Sequence, residues 1–139
     1  NRNMIMISHA VAHALQYGFD AIVIGVHEED ADYPDCTAAF VNAMKRAISQ
    51  ATRGTVSLYA PVIKMSKAAI VRAGRQLDVP FGYTWTCYDP QLQYLPGSDV
   101  PRYLSCGECP ACKLRLHAFS RNGMIDQAVY VEDTPHAAS

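Results

Sequence analysis

The first apolar stretch of the chain predicts a helix. Residues 4–17 carry apolar side chains on nearly every face of a helical projection, and Gly18 follows as a stop signal. We therefore predict a buried helix here. His9 and His13 stand one turn apart and could chelate a metal, but no carboxylate follows in the positions of a zinc protease motif. A polar stripe on the helix is the better interpretation of the two histidines.

The next apolar run predicts a strand. Residues 20–26 form a short continuous segment rich in β-branched side chains, which is typical of a central strand covered on both faces. An acidic loop, residues 27–36, follows at once. Because ligands of open parallel sheets bind beyond the carboxyl ends of the strands, a substrate site is expected in this loop. A merely solvated acidic loop is the alternative, and composition alone favours it.

The middle of the chain continues the alternation of helix and strand. Apolar side chains recur at helical spacing over residues 37–51, with Asp35 or Thr37 as the cap. Residues 56–59 alternate like a strand. Together these elements predict an α/β fold with a parallel sheet.

A further helix begins with Ser66 as its cap and is ended by Pro80. Lys67 lies in its first turn, where a cation opposes the helix dipole. An anion such as phosphate at the same helix terminus would explain that placement. A single surface lysine at a helix start is the alternative.

Four of the five cysteines are clustered in the last third of the chain. Two overlapping C-x-x-C steps join Cys106, Cys109 and Cys112, and Cys87 can return across a long loop to complete a tetrahedron. Four sulfur ligands with no open position indicate a structural zinc site. Disulfides and an iron–sulfur cluster are the alternatives, and the spacing alone does not exclude the cluster.

The zinc site is expected to attach the long loop to a helix. Gly107 permits the tight turn between two ligands, and Pro110 suits the first turn of the helix that follows. Residues 124–130 are predicted to be a last helical turn or a packing segment, and residues 132–139 a fraying tail.

Composition limits the classes of function. The chain has 139 residues, of which 50% are hydrophobic, so it can bury a sizeable core. The net charge of −1 argues against direct nucleic-acid binding through a broad basic surface. No apolar run is long enough for a membrane helix, and no targeting signal is recognisable, so we expect a cytoplasmic location.

Several short motifs occur along the chain in a specific order and spacing: Arg2-Asn3, Gly25-Val26, Asp30, Tyr33-Pro34-Asp35-Cys36, Phe40, Pro61, Ser66-Lys67-Ala68, Thr86-Cys87-Tyr88 and the run from Cys106 to Arg115. Together they resemble the C-terminal two-thirds of the 7-cyano-7-deazaguanine synthase family. The resemblance implies a Rossmann-like adenine nucleotide alpha-hydrolase (ATP pyrophosphatase) fold whose N-terminal part is missing here. It also implies two regions, residues 1–86 in that α/β domain and residues 87–139 as the zinc-binding segment and tail.

The resemblance implies an ATP-dependent ligase of queuosine biosynthesis. Its substrates would be 7-carboxy-7-deazaguanine, ammonia and ATP with Mg²⁺, and its product the nitrile preQ0. A homo-oligomer without a membrane partner is expected. A non-catalytic, zinc-stapled binding module is an alternative, as is a related ATP pyrophosphatase that amidates a different acid or stops at the amide.

The same resemblance assigns residues to sites. Cys87, Cys106, Cys109 and Cys112 match the zinc ligands. Arg2 is expected near the nucleotide, and Lys67 near its phosphates. The loop expected to border the deazaguanine carries Asp30, Tyr33 and Asp35. Cys36 is expected to be a free thiol rather than a fifth ligand, and no residue is assigned a catalytic role.

Three departures from the family pattern affect these expectations. Thr37 stands where the family often has Arg, and the loop between Asp30 and Tyr33 is one residue shorter than the usual form. The loop 88–105 is long. The SGGxDS phosphate loop of the family does not occur among these 139 residues, so we expect the chain alone to be inactive.

Overall fold

The structure is a computed structural model that describes residues 1–30, 32–94 and 100–131. Its helices and strands are, in chain order, α1 (Arg2–Tyr17), β1 (Ala21–Val23), α2 (Ala38–Ala51), β2 (Ser57–Tyr59), α3 (Lys67–Gln76), β3 (Gln91–Tyr94), β4 (Pro101–Leu104) and α4 (Pro110–Ser120). By packing, the chain divides into two compact units, Asn1–Ser66 and a second that begins at Lys67. This division differs from the functional boundary predicted after Thr86, because α3 shares a core with α4.

The first unit has the α/β arrangement that the sequence predicts. Strands β1 and β2 pair in parallel, with Ile22 opposite Leu58. Helix α2 connects them, as a parallel connection requires. The core of the first unit contains the buried side chains of Ile7, Ala14, Ile22, Val26, Val41, Ile48, Val56 and Leu58.

Helix α1 forms where predicted, but the expectation that it is buried is wrong. It ends at Gly18, whose φ of 73° is left-handed and whose N–H donates to the Ala14 carbonyl. The side chains of Ile7 and Ala14 are buried, whereas Ile5 and Met6 are 60% and 64% exposed. A helix packs one stripe of side chains against its neighbours, and Ala10 and Val11 belong to that stripe. Within the described residues no element buries Met4, Ile5, Met6 or Leu15.

Strand β1 is shorter and less covered than predicted. Ladder pairing is confined to Ala21–Val23, although the Ile24 N–H still donates to the Tyr59 carbonyl at 2.9 Å. The Ile22 side chain is buried, but Val23 on the opposite face is 66% exposed. The expectation of a strand covered on both faces is therefore wrong for the part of the chain that the structure describes.

Helix α2 is capped by one of the two predicted residues. The Thr37 hydroxyl accepts a hydrogen bond from the Phe40 N–H at 3.2 Å, which satisfies a free donor of the first turn. The other candidate, Asp35, caps a different helix, α1, as described below. Its side chain accepts from the Asn3 N–H.

In the second unit, α3 packs against α4. Val71 of α3 shares a buried cluster with Ala118 and Phe119 of α4, and the Phe81 ring meets the Phe119 ring edge to face at 5.0 Å. A Cβ at Gly74 would lie 2.6 Å from the Phe81 ring, so glycine is needed for this close approach. Helix α3 begins at Lys67 as predicted and ends before Pro80.

The rest of the second unit contains an antiparallel hairpin, which the sequence pattern does not predict. Strands β3 and β4 pair with Leu92 opposite Tyr103. Residues 124–130 contain no helix and act as a packing segment, because Tyr130 is buried and bridges to Ser105. The predicted tail, residues 132–139, lies outside the described residues. Among the described helices, none is both long and apolar enough to cross a membrane.

Candidate metal centre

The four predicted zinc ligands come together in the structure. The Sγ atoms of Cys87, Cys106, Cys109 and Cys112 all lie within 4.8 Å of one another. A tetrahedral ion with metal–sulfur distances near 2.3 Å needs sulfur–sulfur separations of about 3.8 Å. All four side chains are free thiols, and the Sγ atoms of Cys87 and Cys106 are 3.5 Å apart. The four cysteines can therefore hold one metal ion.

Local backbone geometry points the sulfurs inward. Gly107 has a left-handed φ of 76°, which makes the tight turn between Cys106 and Cys109. Backbone N–H groups donate to the sulfurs: that of Cys106 to Cys87 Sγ at 3.2 Å, and that of Cys109 to Cys106 Sγ at 3.3 Å. Such N–H donors stabilise thiolate charge and so prepare the site for a cation.

Helix α4 starts at the metal centre. Cys109 is its N-cap and accepts the Cys112 N–H at 3.4 Å, and Pro110 occupies the first turn as predicted. A thiolate at a helix N-terminus is favoured by the helix dipole. The ligand pair Cys109 and Cys112 is thus set by one turn of helix.

The thiols differ in their readiness to ionise. Burial opposes ionisation of Cys109, but N–H donors from Tyr88 and Cys112 outweigh it and lower its pKa to about 6. Burial raises the pKa of Cys87 and of Cys112 above the ordinary thiol value. The N–H groups of Tyr88 and Cys112 therefore favour a thiolate at Cys109. Metal binding must displace protons from Cys87 and Cys112.

A buried polar network, not predicted from the sequence, adjoins the cysteines. The Arg115 guanidinium and the Asp126 carboxylate form an ion pair whose side chains are 6% and 2% exposed. The Tyr130 hydroxyl donates to the same carboxylate at 2.7 Å, and the Tyr130 ring packs in the cluster with Cys87 and Cys112. Burial disfavours ionisation of Asp126, but the hydrogen bonds from Arg115 and Tyr130 prevail and lower its pKa.

In the first unit, the acidic loop follows β1 and holds the predicted substrate residues. Asp30 is half-buried, and its carboxylate lies 3.2 Å from Nε2 of the buried His27. The Tyr33 side chain is 62% exposed, while its carbonyl accepts the Cys36 N–H at 2.9 Å. The loop therefore presents one carboxylate beside a buried imidazole and one exposed aromatic ring.

Asp35 is buried and bound to the start of α1. Its carboxylate accepts the Asn3 N–H at 3.0 Å, and this hydrogen bond holds the pKa of Asp35 below its ordinary value. The Asn3 side-chain amide donates to the Asp35 carbonyl at 3.0 Å and to Cys36 Sγ at 3.2 Å. Helix α1 receives no cap from the Asn1 side chain, so Asp35 takes that role.

Cys36 is the free thiol that the sequence predicts, and it is not part of the four-sulfur cluster. Burial and the carboxylates of Asp30 and Asp35 raise its pKa, while the amide of Asn3 and the charge of Arg2 act in the opposite direction. The structure thus brings Arg2, Asp30 and Asp35 around one thiol. Lys67 begins α3 in the second unit, and its side chain is half-buried.

Sequence reasoning missed four residues that organise these sites. Asn3 and His27 hold the acidic loop, and the Arg115–Asp126 pair adjoins the metal centre. A signal exists for Arg115, because helical spacing places it on the same face as Cys112 and Phe119, and a charge on a buried face needs a buried partner. Nothing in the spacing identifies Asp126 as that partner.

The chain is similar to known proteins of one family. The model of the family described as "Queuosine biosynthesis protein QueC" matches residues 1–123. A protein named 7-cyano-7-deazaguanine synthase from Anaeromyxobacter dehalogenans (strain 2CP-C) is 39% identical over an alignment 137 residues long, and the alignment covers 94% of this chain and 54% of that protein. Proteins of the same name from Alteromonas mediterranea and Psychromonas ingrahamii are 38% and 34% identical and are covered over 55% and 56% of their lengths. The chain spans about half the length of the curated relatives it matches.

Replacement of Cys109 by Ser should remove the metal and destabilise the second unit. The hydroxyl of Ser is a poor ligand for a soft site, and a structural metal contributes several kcal/mol or more to folding. Elemental analysis and urea unfolding measure the two effects. Cys36→Ser is the matched control and should keep both metal and stability. An unfolding transition of the metal-free parent as cooperative and as stable as that of the metal-loaded parent would contradict a structural metal.

Proposed function

The chain belongs to the queuosine biosynthesis protein QueC family, and on that premise we propose that it carries the substrate loop and metal centre of a 7-cyano-7-deazaguanine synthase. The observation that carries the proposal is the alignment of 94% of the chain with proteins of that name. The reaction converts 7-carboxy-7-deazaguanine and ammonia to 7-cyano-7-deazaguanine, using ATP. The fold is proposed to be the Rossmann-like ATP pyrophosphatase fold, of which the parallel β1–α2–β2 unit is a part.

The chemistry requires activation because a carboxylate is a poor electrophile. In the proposed sequence the substrate carboxylate attacks the α-phosphorus of ATP, pyrophosphate leaves, and ammonia then displaces AMP to give the amide. A second ATP adenylates the amide oxygen with release of a second pyrophosphate, and loss of AMP and of both N–H protons leaves the nitrile. The protein must hold triphosphate and Mg²⁺, neutralise the departing pyrophosphate and orient the deazaguanine.

Arg2 and Lys67 are proposed to meet the nucleotide phosphates. Each is the first residue of a helix, α1 and α3 respectively. A cation at a helix N-terminus opposes the dipole, and an anion held there by both the cation and the backbone N–H groups would reverse that penalty. The start of α3 therefore suits a phosphate group, whereas the start of α1 already holds the Asp35 carboxylate, so Arg2 would meet a phosphate through its guanidinium alone.

The acidic loop is proposed to bind the deazaguanine. The half-buried Asp30 carboxylate, fixed beside His27, is an acceptor for the N–H groups of a purine-like ring. The exposed ring of Tyr33 offers a face on which a planar base can stack. Asp35 lies in the same loop, and its contact with Asn3 supports the shape of the proposed site.

We propose zinc as the metal of the four-cysteine centre and assign it a structural role. Four thiolates fill a tetrahedral coordination sphere, so no position remains for a substrate or a water molecule. When bound, the ion cross-links the segments that carry the four cysteines. An iron–sulfur cluster uses the same ligand type and is the competing occupant.

A non-catalytic binding module is the second candidate. The observation that favours it is that no SGGxDS segment occurs in the 139 residues. In the α/β class such a segment lies at the first strand-to-helix turn, where backbone N–H groups hold the triphosphate. A module would keep the metal and the ligand loop without turning over ATP.

An assay of AMP formation separates the two candidates. With 7-carboxy-7-deazaguanine, ammonia, ATP and Mg²⁺, the chain alone should form no AMP. A longer protein, in which the unmatched part of the Anaeromyxobacter dehalogenans synthase is joined to this chain, should form AMP and the nitrile. AMP formation by the chain alone would require a different ATP site. A well-folded longer protein that forms no nitrile would contradict the synthase proposal.

In that longer protein, Lys67→Ala should slow adenylation by about 100-fold or more, because it removes a cation from a transition state that develops phosphate charge. Single-turnover formation of AMP measures the step, and thermal unfolding checks that the variant is folded. Lys45→Ala, an exposed lysine of α2, is the matched control. Equal rates for the parent and the Lys67 variant would remove Lys67 from the nucleotide site.

A further inference from the structure

A bidentate ion pair lies buried next to the four cysteines. Arg115 Nε donates to Asp126 Oδ2 at 2.6 Å, and Arg115 Nη2 donates to Asp126 Oδ1 at 2.8 Å. A buried ion pair is tolerated only when its remaining donors and acceptors also find partners, because both charges lose their hydration. The surroundings of this pair must therefore supply further hydrogen bonds.

Those hydrogen bonds are present on both sides of the pair. Asp126 also accepts the Tyr130 hydroxyl at 2.7 Å and the Ala128 N–H at 3.0 Å. Arg115 Nη2 donates to the Phe81 carbonyl at 3.0 Å. The pair is thus the centre of a satisfied network rather than an isolated salt bridge.

One arm of the network reaches the segment that carries Cys87. Arg115 Nη1 donates to the Thr84 hydroxyl at 2.8 Å, to the Thr84 carbonyl at 3.2 Å and to the Thr86 hydroxyl at 3.3 Å. Thr86 directly precedes Cys87, and Arg115 lies one helical turn after Cys112. The guanidinium therefore joins two of the cysteine-bearing segments.

The other arm reaches the segment that carries Cys106. Tyr130 bridges in parallel to Ser105, which directly precedes Cys106. The Ser105 N–H donates to the Val129 carbonyl at 2.9 Å, and the Val131 N–H donates to the Ser105 carbonyl at 3.1 Å. The Tyr130 hydroxyl ties this bridge back to Asp126.

We infer that Arg115, Asp126 and Tyr130 are positioning residues for the metal centre: they hold the segments of Cys87, Cys106 and Cys112 together before the ion binds. None of the three supplies a ligand atom to the four-sulfur cluster. The inference rests on the proposed zinc site. In this inference the network orders the ligands, and the zinc ion completes the site.

The physical consequence is a metal affinity that depends on residues outside the coordination sphere. Ligands that are already ordered lose less conformational entropy when the ion binds. Loss of outer partners of this kind lowers metal affinity by about 10- to 100-fold. A network that contributed only general stability would leave the affinity of the folded protein unchanged.

Tyr130→Phe is the decisive variant because it removes one hydroxyl and keeps the ring that packs against Cys112. Its dissociation constant for zinc should rise about 10-fold. Asp126→Asn, which leaves the buried Arg115 without its counter-charge, should raise it about 100-fold. Competition with a chromophoric zinc chelator measures both, and far-UV circular dichroism establishes that each variant is folded with and without zinc.

Two controls match these chemical changes at exposed positions. Tyr83→Phe removes a hydroxyl from a side chain that is 93% exposed. Glu108→Gln neutralises a carboxylate between Cys106 and Cys109, in an exposed ion pair with Lys113 at 3.0 Å. Both controls should bind zinc as the parent does, although Glu108 lies between two ligands in the chain.

The outcomes distinguish a wrong inference about the network from a wrong proposal about the zinc site. A parent that binds no zinc refutes the proposed zinc site and this inference with it. A parent that binds zinc, with a folded Tyr130→Phe variant of equal affinity, overturns the inference alone. If Asp126→Asn does not fold, the zinc affinity of Tyr130→Phe alone tests the inference. An equal loss of zinc affinity in Tyr83→Phe would also overturn the inference, because the effect would not be specific to residues of the network.

Discussion

Four sulfur atoms within 4.8 Å of one another are the constraint on which the second unit of this chain depends. Thiolates at such separations repel one another unless a cation lies between them, and burial of Cys87 and Cys112 makes charge without a cation still less favourable. The segments that carry these cysteines are a loop, a tight turn and the start of a helix. Their convergence joins these segments into one structural unit.

The sequence predicts the parts of the fold that are set by local rules. The spacing of Cys106, Cys109 and Cys112, with a glycine at position 107, predicts the tight turn between ligands from the sequence alone. The structure confirms it, because Gly107 has a left-handed φ. The end of α1 at Gly18 and the cap of α2 at Thr37 are confirmed for the same reason. Each of these depends on backbone geometry within a few residues.

Features that depend on distant partners were not predicted. The apolar pattern of α1 cannot tell whether a second element covers Ile5 and Met6, and within the described residues none does. The antiparallel pairing of β3 with β4 sets Leu92 opposite Tyr103, and no regular alternation of polar and apolar residues identifies it. The pairing of Arg115 with Asp126 likewise depends on the path of the chain after α4.

The acidic loop shows how a predicted binding residue can have a structural role. Asp35 was expected at the substrate, and the structure places its carboxylate on the first turn of α1, where it caps the Asn3 N–H. The half-buried Asp30, held by His27, keeps the position that a ligand-binding carboxylate needs at the end of β1. Burial and both carboxylates raise the pKa of the Cys36 thiol.

X-ray absorption at the metal edge tests the central claim most directly, because it reports the ligands of the ion in the folded protein. The account predicts a zinc edge and a single shell of four sulfur atoms at about 2.3 Å. A shell that contained nitrogen or oxygen ligands, or fewer than the four cysteine sulfurs, would contradict a closed four-thiolate site. An iron edge with metal–metal scattering would show instead that the four cysteines hold a cluster.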